Sequence, residues 1–215
     1  MDLDLIFRVY PFFLQAAWVT VQISVLSIAL GLACGAMGAA ARLSRSSVLR
    51  FIGATYVSVI RGTPALIQIF ILYFGGPQIG LNFDAFTAGT IALGVNIGAY
   101  MTETMRGAII AVDRGQTEAA RTLGLSRAQT MRSVILPQAA RLMIRPLGVN
   151  INAQIKGTAL VAAISVVELT HTAQRYIGST YKPFEMFILA GAFYLVLIQL
   201  VGVAIGYLDR RAVLK

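Results

Sequence analysis

Charge is scarce in this sequence, and acid is scarcer still. Only 13% of the 215 residues are charged, and nine of them are Asp or Glu, where an average soluble chain carries roughly 25% charged residues. So few charges cannot clothe a water-facing surface, and that excludes an ordinary soluble enzyme. A single cysteine, Cys34, excludes an intrachain disulfide. It lies in an apolar stretch and reads as a small core residue. One histidine, His171, has no metal-ligand spacing around it and reads as a solvated loop residue. No Gly-rich phosphate loop follows a strand and no Ser, His and Asp set is present, which argues against intrinsic catalysis. The excess of Lys and Arg, 18 against nine acids, gives a net charge of +9. The basic residues are scattered between apolar runs and form no basic face, so nucleic acid is not the expected partner.

Long hydrophobic runs fill the space that charge leaves. Apolar residues make up 57% of the chain and the mean hydropathy is +0.75, as in an integral membrane protein contacting lipid. Its length allows one domain, residues 1–215, with a handful of helices. Asp2 and Asp4 stand where a signal peptide would be basic, and the run after them is too long for a signal core, so the first span is expected to be retained.

Five spans are predicted, over about 12–41, 51–74, 85–110, 142–170 and 186–208. The first is uncharged from Phe12 to Ala41, longer than the ~20 residues a crossing helix needs. Gly31 and Gly35 within it have the spacing that lets helices pack closely. Arg42, Arg45 and Arg50 follow with no acid among them, so this loop is assigned to the cytoplasm and the N-terminus to the outside. Gly75, Gly76 and Pro77 read as the end of span two. Of the 18 Lys and Arg, only Arg8, Arg175 and Lys182 then fall outside, Arg61 and Lys156 fall within spans, and the remaining 13 are cytoplasmic or at that interface. The C-terminus is cytoplasmic, beyond Asp209, Arg210 and Arg211.

Ionisable groups inside spans are costly, ~2.5 to 3.5 kcal/mol each on insertion scales, and so point to function. Arg61 lies near the middle of span two, followed by Gly62, Thr63 and Pro64. Pro64 disfavours helix at Thr63 but suits a fresh start, with Thr63 as its cap. A broken helix is predicted there, of the kind that holds a substrate carboxylate. An interfacial Arg before an ordinary kink is the alternative. Lys156, Gly157 and Thr158 repeat the basic, Gly, Thr order in span four, with an ion pair from Lys156 to Glu103 or Glu168 as the competing role. Asn96, Tyr100 and Glu103 share one face of span three, Asn152 and Lys156 one face of span four, and Ser165 and Glu168 another. Glu103 or Glu168 is a candidate for a solute ammonium, and Arg61 with the Thr63 helix start for its carboxylate.

Between spans three and four, over about 113–137, lies a polar island, and Glu118 to Pro137 reads as two short helices. Thr117 is expected to cap the first, Gly124 to stop it, Ser126 to cap the second and Pro137 to end it. Ala119, Ala120 and Gly124 leave a surface that a partner's groove can approach. The order Glu118, Ala119, Ala120, Gly124, Val134, Leu136, Pro137 resembles the EAA loop of the membrane subunits of ABC importers, with Val134 where that pattern usually has Ile. Arg61-Gly62-Thr63-Pro64 with Gln68 and Tyr73-Phe74-Gly75 is similar to the polar amino acid permeases, those of the histidine, glutamine and arginine type. So are Gly98-Ala99-Tyr100 with Glu103 and Arg106-Gly107-Ala108, and Lys156-Gly157-Thr158 to Glu168-Leu169-Thr170.

The resemblance implies an all-α integral membrane protein with the type I ABC importer fold, in the bacterial cytoplasmic (inner) membrane. It implies a coupling role for Glu118, Ala119, Ala120, Gly124, Leu136 and Pro137. It further implies a cytoplasmic ABC ATPase dimer that binds ATP and Mg2+, a second permease subunit identical or paralogous to this one, and an external solute-binding protein. This chain itself is expected to bind no cofactor and no metal. The substrate path is expected to include Arg61, Thr63, Gln68, Asn96, Tyr100, Glu103, Asn152, Lys156, Ser165 and Glu168. The cargo expected is a polar or charged amino acid, or a derivative such as an opine. An ion-coupled secondary transporter and a structural or receptor protein are competing readings, and both leave the polar island unexplained.

Overall fold

A computed structural model describes residues 2–213, and these are helical with no strand among them. Helix α1, Leu3–Leu43, opens on Asp2, whose carboxylate accepts from the Leu5 amide. It runs through Pro11 without a break, and so begins nine residues before the predicted span. After a short turn, α2 covers Ser47–Gly62 and α3 covers Ala65–Phe70. The chain between them bends by 103°, and Thr63 and Pro64 are both extended. The predicted break in span two is therefore present, with Pro64 and not Thr63 in the capping position. A π-helical turn over Ile71–Gly75 and a 3-10 turn over Gly76–Ile79 continue α3. Pro77 does not stop the chain, because a first-turn position needs no N–H. The stop is Gly80, at φ +81.

Helix α4, Ala85–Ala111, has nearly the bounds of the third predicted span and is the most enclosed element, but it is not among the helices apolar enough to count as a crossing by composition. It packs along α1 through paired small residues. A Cβ on Gly98 would lie 2.6 Å from the Cβ of Cys34, and one on Gly35 would lie 2.8 Å from that of Met101. This close approach is what Gly31 and Gly35 predicted, and it explains why α4 is low in large apolar residues. It faces protein, so packing sets its composition.

Helices α5, Arg114–Thr122, and α6, Arg127–Thr130, form the polar island. Then a π-helical turn over Met131–Ile135 leads into α7, Leu136–Gly157. Pro137 was expected to end the second short helix; instead the helix passes through it. The amide of Leu136 bonds the Met131 carbonyl five residues back, so the turn loosens just where proline removes a donor. A 3-10 stretch, Thr158–Ile164, tightens the end of α7, and Gly157-Thr158 marks that change of pitch rather than a break. The break comes at Ser165, φ +65, and is followed by α8, Leu169–Thr180, at 48°. Span four is thus a bent pair, interrupted at Ser165 and not at the Lys156-Gly157-Thr158 step. His171 and Arg175 lie on α8, not in a loop, and the His171 Nδ1 is enclosed without a partner. Helix α9, Pro183–Val213, completes the chain.

Asp4–Leu43 and Pro183–Arg211 are long and apolar enough to cross a membrane, and each bent pair reaches that length and composition when taken together. At the end remote from α5, Lys182 ion-pairs with Asp2 and ties the α8–α9 turn to the start of α1. The bond from Lys182 holds the Asp2 carboxyl below the ordinary carboxylate range, and the same bond holds Lys182 above the ordinary lysine range.

Two measurements test this packing. Gly98→Val lowers the thermal unfolding midpoint in detergent, at an overpacking cost of about 1–3 kcal/mol, whereas Gly191→Ala, with open space around it, does not. The Asp2–Lys182 tie has a pH window set by its two shifts. Asp2's contribution is present at neutral pH and lost as pH falls through its lowered value, and Lys182's is lost as pH rises through its raised value. Spin labels at Phe7→Cys and Tyr181→Cys, in a Cys34→Ala background, therefore give a narrow distance distribution at neutral pH that broadens at both extremes. In Asp2→Asn it is broad throughout.

Candidate functional site

The bend between α2 and α3 leaves carbonyls at the end of one helix with no amide to follow. Gln68, one turn into α3, supplies the donor. Its Nε2 donates to the Ile60 carbonyl at 2.8 Å, to the Thr63 carbonyl at 3.2 Å and to Thr63 Oγ1 at 2.8 Å. Thr63 in turn donates its hydroxyl to Val59, so it closes α2 rather than opening α3. Asn96 on α4 donates to Gln68 Oε1 at 3.0 Å, and Tyr56 donates to the Val95 carbonyl at 2.7 Å. Thr63, Gln68 and Asn96 thus form one chain of bonds that pins the bend to α4. Beside it opens a cleft of about 570 Å3 lined by Ile60, Thr63, Ile67, Gln68, Leu72 and Val95.

One turn further along α4, Tyr100 presents its ring to Arg61, whose guanidinium carbon lies 5.0 Å from the ring centre. Both side chains are exposed in the single chain. Arg61 enters no ion pair among the described residues. Glu103, next on the same face, bridges Arg42 at 3.3 Å and Arg106 at 2.8 Å. The shared face of Asn96, Tyr100 and Glu103 is therefore present, and Glu103 sits between two arginines of this chain, its Oε2 bonded to Arg106 and its Oε1 enclosed without a hydrogen bond.

Glu168 departs further from its predicted role. It is completely buried and caps α8, accepting from Thr170 N at 2.9 Å and His171 N at 2.7 Å. Tyr194 of α9 donates to it at 2.7 Å. With its acceptors engaged it closes the second bend, as Gln68 closes the first. Ser165 does not share a helical face with it, because the break at Ser165 destroys the period. Lys156 pairs with neither Glu103 nor Glu168; it is exposed on the last turn of α7, and Asn152, one turn earlier, borders a separate groove against α9. The predicted path residues thus divide into a cluster at the first bend and scattered positions on α7 and α8.

A polar stripe that the sequence does not advertise runs along α7 into the 3-10 stretch: Asn150, Gln154 and Thr158 recur every four residues, and each reaches another helix. Asn150 donates to Thr104 at 2.9 Å, Gln154 donates to Ser27 at 2.7 Å, and the hydroxyls of Thr158 and Tyr194 lie 3.4 Å apart. Their spacing was available, but they carry no charge to draw attention.

The polar island stands at the other end of the bundle. Asp113, not Thr117, caps α5 through the Gly115 amide, which places Glu118 in mid-helix. Gly124, at φ +77, ends α5 as predicted: the Gly124 amide bonds Arg121 and the Leu125 amide bonds Ala120. Ser126 and Gln129 then form a reciprocal capping box on α6. Glu118, Ala119, Leu123 and Gly124 face outward, as do Leu136 and Pro137, and Leu123 is 80% exposed. Ala120 turns inward and is buried, so it seats the element and does not form its outer surface. Val112, Ile135 and Ala139 make the small core beneath, with Val134 packed against it. Gln138 bonds Gln116 at 3.1 Å across it.

Residues 27–213 match the family described as binding-protein-dependent transport system inner membrane component. The chain is 36% identical over 212 residues to the glutamine transport system permease protein of Escherichia coli, covering 98% of this chain and 97% of that protein. It is 36% identical over 205 residues to the nopaline transport system permease protein of Agrobacterium fabrum, covering 91% and 85%. A crystal structure of an amino acid ABC transporter with histidines superposes with a TM-score of 0.92 at 35% identity, over 98% of this chain and 99% of that one. A chain of the MetNI methionine ABC transporter in an inward-facing conformation, at 18% identity and a TM-score of 0.77 over 99% of both chains, shares the fold.

Gln68→Leu tests the closure of the first bend. It removes the donor from the half-buried Ile60 carbonyl and the exposed Thr63 carbonyl, at about 0.5–1.5 kcal/mol for each hydrogen bond lost. The unfolding midpoint falls and proteolysis near residues 62–66 rises. Unchanged cleavage and midpoint would mean that other donors close the bend.

Proposed function

The chain belongs to the binding-protein-dependent transport system inner membrane components, and from that premise we propose that it is the inner-membrane permease subunit of an ATP-driven importer for a polar amino acid. It is a transporter subunit and not itself an enzyme. The observation that carries the reading furthest is the α5–α6 element. It is capped at each end, seated on its own small core, and offers Ala119, Leu123 and Gly124 to an outside partner. That partner is a cytoplasmic ATPase, which hydrolyses ATP with Mg2+ and moves the bundle through α5 and α6. Leu136 and Pro137 lie where this movement enters α7, and the loose π-helical turn before them is the compliant part of the lever.

In this reading the chain crosses the membrane five times with its N-terminus outside. It pairs with a second copy or a paralogue and receives solute from an external binding protein. Arg61, Thr63, Gln68, Asn96 and Tyr100 line the path at the first bend, with Glu103 fixing the arginines around it. Asn152, Lys156, Ser165 and Glu168 act at a distance from that cluster, Glu168 as a structural cap. Glutamine is the first cargo to test, given the name of the Escherichia coli relative. An opine is the second reading, favoured by the nopaline permease at equal identity.

Ala119→Arg tests the coupling surface. A bulky cation on the outer face of α5 reduces binding-protein-stimulated ATP hydrolysis by about tenfold or more, since each tenfold needs only ~1.4 kcal/mol at the contact. The unfolding midpoint of the isolated subunit does not change. Full stimulation in this variant would remove α5 from the contact.

A further inference from the structure

At the end of the bundle that carries the Asp2–Lys182 tie, a second cavity of about 270 Å3 lies between α1, the break after Ser165 and α8. Its walls include Phe12, Gln15, Val167, Thr172, Arg175 and Tyr176. It is slightly smaller than the roughly 300–1,000 Å3 of drug-sized ligand sites, which suits one small solute. No acidic side chain lines it, and Glu168 nearby is buried with its oxygens engaged. Arg175 forms no ion pair among the described residues and is exposed at the mouth. Thr172 is 96% buried, and its hydroxyl has no hydrogen-bond partner. An unpartnered buried hydroxyl is the exception in folded proteins and calls for a specific reason. The rings of Phe12 and Tyr176, 5.6 Å apart, form the apolar side.

We propose that this cavity is an entry subsite for the carboxylate of a free amino acid. Arg175 supplies the charge-assisted bonds a carboxylate prefers. Thr172 and Gln15 offer neutral donors and acceptors for the polar remainder. With no carboxylate in the wall, the solute's ammonium is left to the aromatic faces or to water. This makes the subsite selective for acids and zwitterions over amines. The inference rests on the importer reading, which places this end of the bundle on the side where solute arrives. It assigns the first contact to α1 and α8, far from the cluster at Arg61.

The assembled complex with its ATPase, in lipid nanodiscs and without binding protein, is examined by saturation-transfer NMR using L-glutamine and its carboxamide analogue, glutaminamide. The wild type gives a saturable signal with glutamine and about a tenfold weaker one with glutaminamide, as loss of one charge-assisted contact requires. Arg175→Gln reduces the glutamine signal by a similar factor, Arg175→Lys retains part of it, and Thr172→Val weakens it. Equal signals from glutamine and glutaminamide, or an Arg175→Gln variant with the wild-type signal, overturn the proposal. So does an Arg175→Gln variant that only weakens docking of the binding protein, which would make the cavity a protein contact. ATP hydrolysis stimulated by loaded binding protein is measured in parallel. If it is absent in the wild type, the importer reading fails; if it is present while glutamine ignores Arg175, only the subsite fails.

Discussion

A bend in a membrane-spanning chain exposes amides and carbonyls that hydrocarbon cannot satisfy, and this chain bends twice. Each bend is closed by one polar side chain, Gln68 reaching back to the helix before it and Glu168 forward to the helix after it. Gln68 donates to the loose carbonyls at the end of α2, and Glu168 accepts from the loose amides at the start of α8. Both are anchored to a third element, Gln68 by Asn96 on α4 and Glu168 by Tyr194 on α9. The two breaks therefore stay ordered because polar groups complete them, and the bundle between them can keep the close glycine packing of α1 on α4.

The same economy appears at the partner-facing end. Within the α5–α6 element, Asp113 caps the first helix, Gly124 turns the chain, and Ser126 with Gln129 caps the second. A helix pair this short does not hold its shape in water without such caps. Rigidity lets it pass a displacement on to α7, where the π-helical turn before Pro137 can take up strain. The charges follow a parallel logic: Glu103 is spent on Arg42 and Arg106, leaving Arg61 on the Tyr100 ring as the cation at the first bend.

The sequence made the fold legible where one residue type has one physical use. The apolar runs located the long helices, Gly31 and Gly35 the close approach, Gly124 and Ser126 the turn and cap, and the Pro64 region the first break. It misled where a residue has several uses. Thr63 and Thr117 look like helix caps, but Pro64 and Asp113 hold those positions. Proline at 77 and 137 was read as a stop, though a first-turn position and a π-helical turn both accommodate it. Glu168 looked like a solute ligand because a buried acid is costly, yet a helix N-terminus meets that cost equally well. The second break was placed too early, at Gly157, because Ser165, unlike Gly, gives no warning of a positive φ.

The most direct test of the account is uptake of radiolabelled glutamine into proteoliposomes that hold this chain with its ATPase, binding protein present outside and ATP sealed within. The account predicts accumulation against a gradient that requires internal ATP, persists when ion gradients are collapsed, and is lost in Ala119→Arg. Accumulation that follows a proton or sodium gradient and ignores ATP would contradict it.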